Sequence, residues 1–360
     1  MQLENLCYLC LRKLNLFNKT TNALLVMIFT RLRPLLSACA AAGIAMLFCA
    51  CSQPKSYIVS DGTMIGTTFH VCAELENTSP AELYAEIMRI ETEARASMSI
   101  FDENSLLNRI NRNQTDSLDE HILRNFEIAR NIGENIDSRY DITVKPLTEA
   151  FGFAAKEAVA APNVDSLLAF VGYDKWHVDG RRVVKHQPNV QFDLNSIAKG
   201  YTVDMVARML EEHGSQNYLV EIGGEVRCRG VNRSGDTWTI GIDTPYEGNM
   251  SPGVSMSGTV ALSDRALATS GNYRRFHLDE NGRKIVHTID PRTGESVTSR
   301  LLSATAVAAT CAEADALATM FLAAGADDAI ALAERMRDSI GVFFILDNDG
   351  EYEFFNTISR

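Results

Sequence analysis

The eight residues His287-Thr-Ile-Asp-Pro-Arg-Thr-Gly294 are the point from which the chain is read. They hold a titratable imidazole, a carboxylate three positions on and a rigid proline-to-glycine turn. Just upstream, Leu278-Asp-Glu-Asn-Gly282 carries an Asn-Gly turn signal between two strand-like runs, which predicts a β-hairpin with His287 near the end of its second strand. Asp290-Pro291 then ends that strand, because proline has no N–H to give to a ladder. Such a segment presents side chains from a fixed backbone, although a solvated hairpin with His287 merely exposed would have the same sequence.

The chain has 360 residues, a formal net charge of −12 and a pI near 5.1. That length permits two or three domains, or one large α/β domain. No basic run follows the first 35 residues. This argues against a nucleic-acid surface, where phosphate neutralisation needs clustered Lys and Arg. A polyanionic ligand would therefore need a metal ion or helix N-termini. Of the eight cysteines, Cys7, Cys10, Cys39, Cys49 and Cys51 precede residue 52. Cys72, Cys228 and Cys311 have no metal-type spacing and, being odd in number, cannot all pair among themselves.

Residues 1–50 read as a signal-peptide region. Arg31 and Arg33 precede an apolar run from Leu35 to Phe48, and Cys49-Ala-Cys51-Ser-Gln-Pro follows, the pattern of a bacterial lipoprotein signal peptide. Cys51 is the better lipidation site, since small Ala50 sits immediately before it, whereas Cys49 follows bulky Phe48. The apolar run is too short to span a bilayer as a helix. A polar segment precedes the basic pair, so the true start is expected at Met27. Residues 51–60 are expected to form a lipidated tether, and 61–360 the functional domain.

Gly66-Thr-Thr-Phe-His-Val-Cys72 has the β-branched and aromatic content of a strand. Ser79-Pro80-Ala-Glu82 combines N-cap, N1 proline and N3 glutamate, with Leu83, Ile87, Ile90 and Ala94 as the buried face of the helix it starts. A second helix is predicted over 119–136, with Ile122, Phe126, Ala129 and Ile132 on one side. Between them, Phe101 is either core or a ring platform at a pocket edge. Val190 to Tyr201 reads as a strand running into a helix, capped by Asn195 or Ser196 and ended by Gly214. A junction carrying Asp193 and Lys199 at a helix N-terminus suits a phosphate, and it suits an ordinary capped helix with a surface lysine as well.

Strands are expected at Tyr218 to Ile222, Glu225 to Gly230 and Thr237 to Ile242, the first pair joined by Gly223-Gly224. Ser303 to Ala309 reads as a small-residue strand, followed by an alanine-rich helix from Cys311 to Gly325. On that helix Asp315 and Thr319 are four apart and share a face, offering two hard oxygens to one point. Mg²⁺ takes such a set, with water and substrate phosphate completing its shell. A solvated Asp-x-x-x-Thr pair looks the same in isolation.

In this order the motifs resemble those of the ApbE family, the FAD:protein FMN transferases. They are Gly66-Thr67-Thr68, Met98-Ser99-Ile-Phe101, Tyr140-Asp141-Ile-Thr143, Asp193-Leu-x-Ser-Ile-Ala-Lys199-Gly, Gly223-Gly224-Glu225, Thr269-Ser-Gly271-x-Tyr273, His287-x-x-Asp290-Pro-x-Thr-Gly294 and Asp315-Ala-Leu-Ala-Thr319. The match runs essentially from Ile65 to the C-terminus. It implies an α+β fold, two β-sheet lobes with packed helices and the active site between them. It also implies a periplasm-facing, Mg²⁺-dependent enzyme that cuts the FAD pyrophosphate, joins FMN to a Thr or Ser of a target protein and releases AMP.

Carried over position by position, Asp315, the Thr319 hydroxyl and an oxygen of Ser196, its carbonyl, would bind Mg²⁺. Ile65, Phe101, Tyr140, Asp141, Asp193 and Lys199 would line the FAD site. Many members have Met at the position of Ile65, and glycine is common where this chain has Asn195 and Ser196. The acceptor is expected to be a membrane-bound redox subunit, reached from a lipid anchor. His287, with an unperturbed pKa of ~6.5, would take the proton from the acceptor hydroxyl, oriented by Asp290. Two other activities share these residues: FAD hydrolysis to FMN and AMP, and flavin binding without turnover.

Overall fold

A computed structural model describes residues 56–153, 162–246, 249, 253–273, 276–280 and 282–358. The expectations for Met27, for the apolar run and for Cys51 lie outside the described residues. The ordered chain starts earlier than the expected tether allows, because β1 (Tyr57–Met64) takes in four of that tether's positions. It pairs with β2 (Thr67–Glu74) over its full length, and the Tyr57 hydroxyl donates to the Val231 carbonyl at 2.7 Å.

The elements that follow are α1 (Pro80–Met98), α2 (Leu106–Asn111), α3 (Glu120–Asn135), α4 (Lys145–Ala150) and α5 (Val164–Leu168). Next come β3 (Trp176–Asp179), β4 (Arg182–Lys185), α6 (Ala198–Glu212), β5 (Tyr218–Ile222), β6 (Glu225–Arg229), β7 (Trp238–Asp243) and β8 (Met256–Leu262). β9 (Arg265–Gly271), β10 (Phe276–Leu278), β11 (Lys284–Val286), β12 (Leu301–Ala308), α7 (Cys311–Ala324), α8 (Ala326–Arg335), β13 (Gly341–Asn348) and β14 (Glu351–Asn356) complete the chain.

Local signals account for several of these. Ser79 and Glu82 form the expected reciprocal capping box of α1, whose buried side carries Leu83, Ile87, Ile90 and Ala94. Asp119 caps α3, and Thr310 with Glu313 builds a second capping box at the start of α7. Helix α6 departs from expectation. It has no side-chain cap, and Ile197, not Asn195 or Ser196, is its N-cap residue.

One antiparallel sheet of eight strands, in the order β1-β2-β5-β6-β9-β12-β13-β14, forms the body. The period-2 rule divides its side chains between two cores. Val71, Ala73, Val220, Ala304, Ala306, Val342 and Phe344 face the helices. Cys72, Cys228, Val307 and Ile345 face the β7–β8 hairpin on the other side. Helix α7 lies against β9 and β12, both rich in alanine, and is buried on nearly every side. Its Ala-rich sequence lets helix and sheet approach closely. The seam between β6 and β9 is short, three register pairs against six between β9 and β12.

The class is α+β, as expected. The second lobe is far smaller than the first. Leu147, Val171 and Ile289 form a separate apolar cluster joined by Val164, Leu167 and Leu168 of α5, and β10 and β11 make a two-stranded sheet of their own. Cys72, Cys228 and Cys311 are all buried free thiols.

Candidate active site

A cavity of about 300 Å³ lies between the lobes. Tyr140, Asp141, Asp193, Ser196, Lys199, His287, Asp315 and Thr319, all singled out from the sequence, line it together. Ile65, Phe101 and Asp290 do not.

The centre of the site is the contact between α6 and α7. Asp315 is 3% exposed, and its Oδ2 accepts the Gly200 N–H at 3.0 Å. In an uninterrupted helix that N–H would go to the Ser196 carbonyl. Here no backbone hydrogen bond reaches the Ser196 carbonyl among the described residues, and Asp315 Oδ1 has no hydrogen-bond partner either. The same contact explains Gly200. A Cβ there would stand 2.2 Å from the Cys311 carbonyl oxygen and 2.8 Å from Asp315 Cβ. One turn further along α7, the Thr319 hydroxyl is 3.1 Å from Ser270 Oγ. The Ser196 hydroxyl is hydrogen-bonded with the Tyr140 hydroxyl at 3.1 Å, and its carbonyl oxygen is free to coordinate a cation.

These donors fit Mg²⁺: a carboxylate, a hydroxyl and a carbonyl, all hard oxygens, with room for water and ligand. No group of three or more His, Cys, Asp or Glu is gathered as a metal cluster among the described residues. The lining has four carboxylates, Asp141, Asp193, Glu225 and Asp315, against Lys199 and Arg139. The local balance therefore favours a cation.

Lys199 forms an ion pair with Glu225, the first residue of β6. Burial pulls the Lys199 pKa down, but Glu225 and Asp315 outweigh it, so the ammonium is held above its usual range. Burial raises Asp315, opposed by the Lys199 charge and the Gly200 N–H. Burial likewise raises the Tyr140 hydroxyl. It pushes Asp141 up to about 6, although its Oδ1 accepts both the Thr143 N–H and hydroxyl. Asp193 receives the Asn195 N–H at 2.9 Å and the Thr148 hydroxyl at 3.4 Å.

His287 follows directly on β11, as the hairpin reading expects, and the β10–β11 pairing is present. Its backbone is clamped on both sides. The Ser296 hydroxyl accepts from the Val286 N–H and donates to the Val286 carbonyl, and the Val297 N–H donates to Thr288 O. The ring lies edge-on to Phe153 at 6.2 Å between centroids. Asp290 does not orient it. Its carboxylate accepts from the Arg292 N–H, Nε and Nη2, so a neighbour two residues on captures the group expected to hold the imidazole. Those bonds to Arg292 outweigh burial and hold Asp290 below its ordinary range.

Two expected FAD contacts also lie elsewhere. Phe101 is 60% exposed in the turn before α2. Ile65 occupies the β1–β2 turn with φ +41, a strained conformation for a β-branched residue, and packs against the main core. The next residues approach the site, since Thr67 packs on Gly223, which lines the cavity.

Sequence reasoning passed over Glu225, Ser270, Gly200 and Arg139 as site residues. Gly200 carried a signal, being a glycine in the first turn of a helix with no turn to make. Ser270 falls within the Thr269-Ser-Gly271-x-Tyr273 motif, whereas Arg139 carried no signal.

A model of the ApbE family matches residues 65–344. The chain belongs to the ApbE family. Among its relatives, an FAD:protein FMN transferase of Haemophilus influenzae is 32% identical over 338 residues, covering 89% of this chain and 95% of that protein. One of Vibrio cholerae is 30% identical, covering 86% and 93%. The solved flavin transferase ApbE from Vibrio cholerae superposes with a TM-score of 0.74 at 29% identity, covering 84% of this chain and 97% of that one. The apo flavinyl transferase ApbE of Pseudomonas stutzeri gives 0.73 at 27%, covering 84% and 94%. The ApbE match thus spans both lobes and every residue of the cavity.

Proposed function

We propose that this ApbE protein transfers FMN from FAD to a Thr or Ser hydroxyl of a target protein, in a Mg²⁺-dependent reaction that releases AMP. The observation that carries it is the meeting of Ser196, Lys199, His287, Asp315 and Thr319 in one cavity of a chain whose relatives are FAD:protein FMN transferases.

Asp315, Thr319 and the Ser196 carbonyl would hold Mg²⁺, which would supply counter-charge to the pyrophosphate. Lys199, kept cationic by its acidic neighbours, adds a fixed positive charge beside the same phosphates. His287 accepts the proton of the acceptor hydroxyl as its oxygen forms a bond to the FMN phosphorus. The bond between that phosphorus and the bridging oxygen breaks, and the oxygen leaves as part of AMP. Tyr140 fixes the Ser196 loop through its hydroxyl. Phe153 meets the imidazole edge-on, 6.2 Å between ring centroids.

The same proposal places the protein on the periplasmic face of a bacterial membrane, anchored through lipidated Cys51, with a membrane-bound redox subunit as acceptor. Its support is the sequence from Arg31 to Cys51. Mass spectrometry of the native N-terminus checks the anchor, and a mature chain retaining residues before Cys51 would refute it.

Incubation with FAD, Mg²⁺ and an acceptor domain tests the activity, reading protein-bound flavin fluorescence on a denaturing gel beside released AMP. Flavinylated acceptor with AMP is expected, and Asp315→Ala should give neither. AMP with free FMN and no labelled protein would show a hydrolase instead.

A further inference from the structure

Lys199 feels the charge of two carboxylates and pairs with one of them. It forms its ion pair with Glu225 and none with Asp315, although each of Lys199 and Asp315 feels the charge of the other. Three separate elements fix the triangle, Lys199 on α6, Asp315 on α7 and Glu225 at the start of β6. Gly223 and Gly224, both at positive φ, turn the chain from β5 into β6, whose first residue is Glu225. Glu225 is 2% exposed, and its Oε2 is buried without a hydrogen-bond partner. A half-satisfied buried carboxylate is costly, and stability alone does not explain it.

We propose that Glu225 is a positioning residue that holds the Lys199 ammonium off Asp315 and so keeps Asp315 open to a cation. This rests on the reading of Asp315 as a Mg²⁺ ligand. The physical argument is competition. An ammonium within reach of a buried carboxylate is attracted to it strongly at interior dielectric, and Asp315 Oδ1 has no hydrogen bond to resist capture. Lys199 is long enough to change partner, being an unbranched stem with a point charge at its end. Glu225 gives that charge a nearer, fixed anion. The cavity then has both a free carboxylate for the ion and a placed cation for phosphate.

The test is calorimetric titration of the full-length protein with Mg²⁺ in the absence of FAD. Glu225→Gln keeps the shape and removes the charge. It should weaken Mg²⁺ binding by about tenfold or more, the range in which outer partners of metal ligands act. Adding Lys199→Met should restore affinity to near the wild-type value, because the competing ammonium is gone. Lys199→Met alone should bind Mg²⁺ at least as tightly as wild type, an outcome that stays informative even where Glu225→Gln does not fold. Unchanged binding in Glu225→Gln, no recovery in the double variant, or weaker binding in Lys199→Met would each overturn the proposal. Asp315→Asn separates its failure from that of the metal reading: loss of Mg²⁺ binding there upholds Asp315 as a ligand, and retained wild-type binding sinks both.

Discussion

Replacing Gly200 by alanine sets two effects of opposite sign against each other. Helix propensity favours the change, since alanine is better than glycine in a helix by about 1 kcal/mol. Packing opposes it. The new Cβ would meet the Cys311 carbonyl oxygen at 2.2 Å and its carbon at 2.6 Å, both backbone atoms that cannot swing aside. Helices α6 and α7 would have to separate by roughly 1 Å, in a part of the core with little slack. Overpacking of that kind costs about 1–3 kcal/mol. The Gly200 N–H bond to the Asp315 carboxylate would lengthen with it, and a hydrogen bond to a charged group contributes about 1.5–3 kcal/mol. The geometric terms sum to more than the propensity gain. Gly200→Ala should therefore destabilise the protein by about 1.5–5 kcal/mol. Urea denaturation followed by circular dichroism measures this as a lower midpoint with an unchanged slope. Mg²⁺ binding should weaken in parallel, because Asp315 moves with α7. A variant as stable as wild type, or more so, would show that α6 and α7 do not touch at Gly200, and the account of Asp315 would fall with it.

His287→Ala should leave FAD affinity near normal and lower transfer by about 10²- to 10⁴-fold, measured at saturating FAD and acceptor. An unchanged rate would remove the base assignment, and a raised FAD dissociation constant would make His287 a ground-state contact. Asp290→Asn should change transfer by less than about threefold, since its carboxylate serves Arg292, and a loss as large as that of His287→Ala would reinstate it as an orienting group. Asp141 titrates near 6 in the fold against an ordinary 3.8, so the native state holds this proton harder than the unfolded chain. Its contribution to stability is therefore present below about pH 4 and is lost as pH rises through about 6, by up to about 3 kcal/mol. Asp141→Asn should flatten that part of the urea-midpoint profile between pH 4 and 7, and parallel profiles would refute it.

What the sequence shows plainly is what short-range physics decides. The capping box at Ser79 and the periodic faces of α1 and α3 need only neighbouring residues, and they match the structure. Other features turn on contacts that helix and strand periodicity do not reveal. The start of α6 cannot be placed from Asn195 or Ser196, because the donor that would define it goes to Asp315, far along the chain. Strand β9, Arg-Ala-Leu-Ala-Thr-Ser-Gly, lacks the bulky residues that mark strands, and becomes one because α7 needs small residues beneath it. Asp290 stands three residues from His287, yet Arg292 lies closer in sequence and holds it. The cavity itself was legible as an ordered set of motifs, and the function of each member depends on contacts that no motif contains.

The short seam between β6 and β9 has a mechanical consequence. It divides the sheet into one four-stranded half from the N-terminal part of the chain and one from the C-terminal part, joined by three residue pairs. Glu225 opens β6 on one bank, while Ser270 and Gly271 close β9 on the other, and all three border the cavity. A substrate seated there bridges the weakest line of the sheet like a rivet. Amide exchange along β6 and β9 should slow together when FAD and Mg²⁺ bind, whereas β1 and β14, at the outer edges, should not register their arrival.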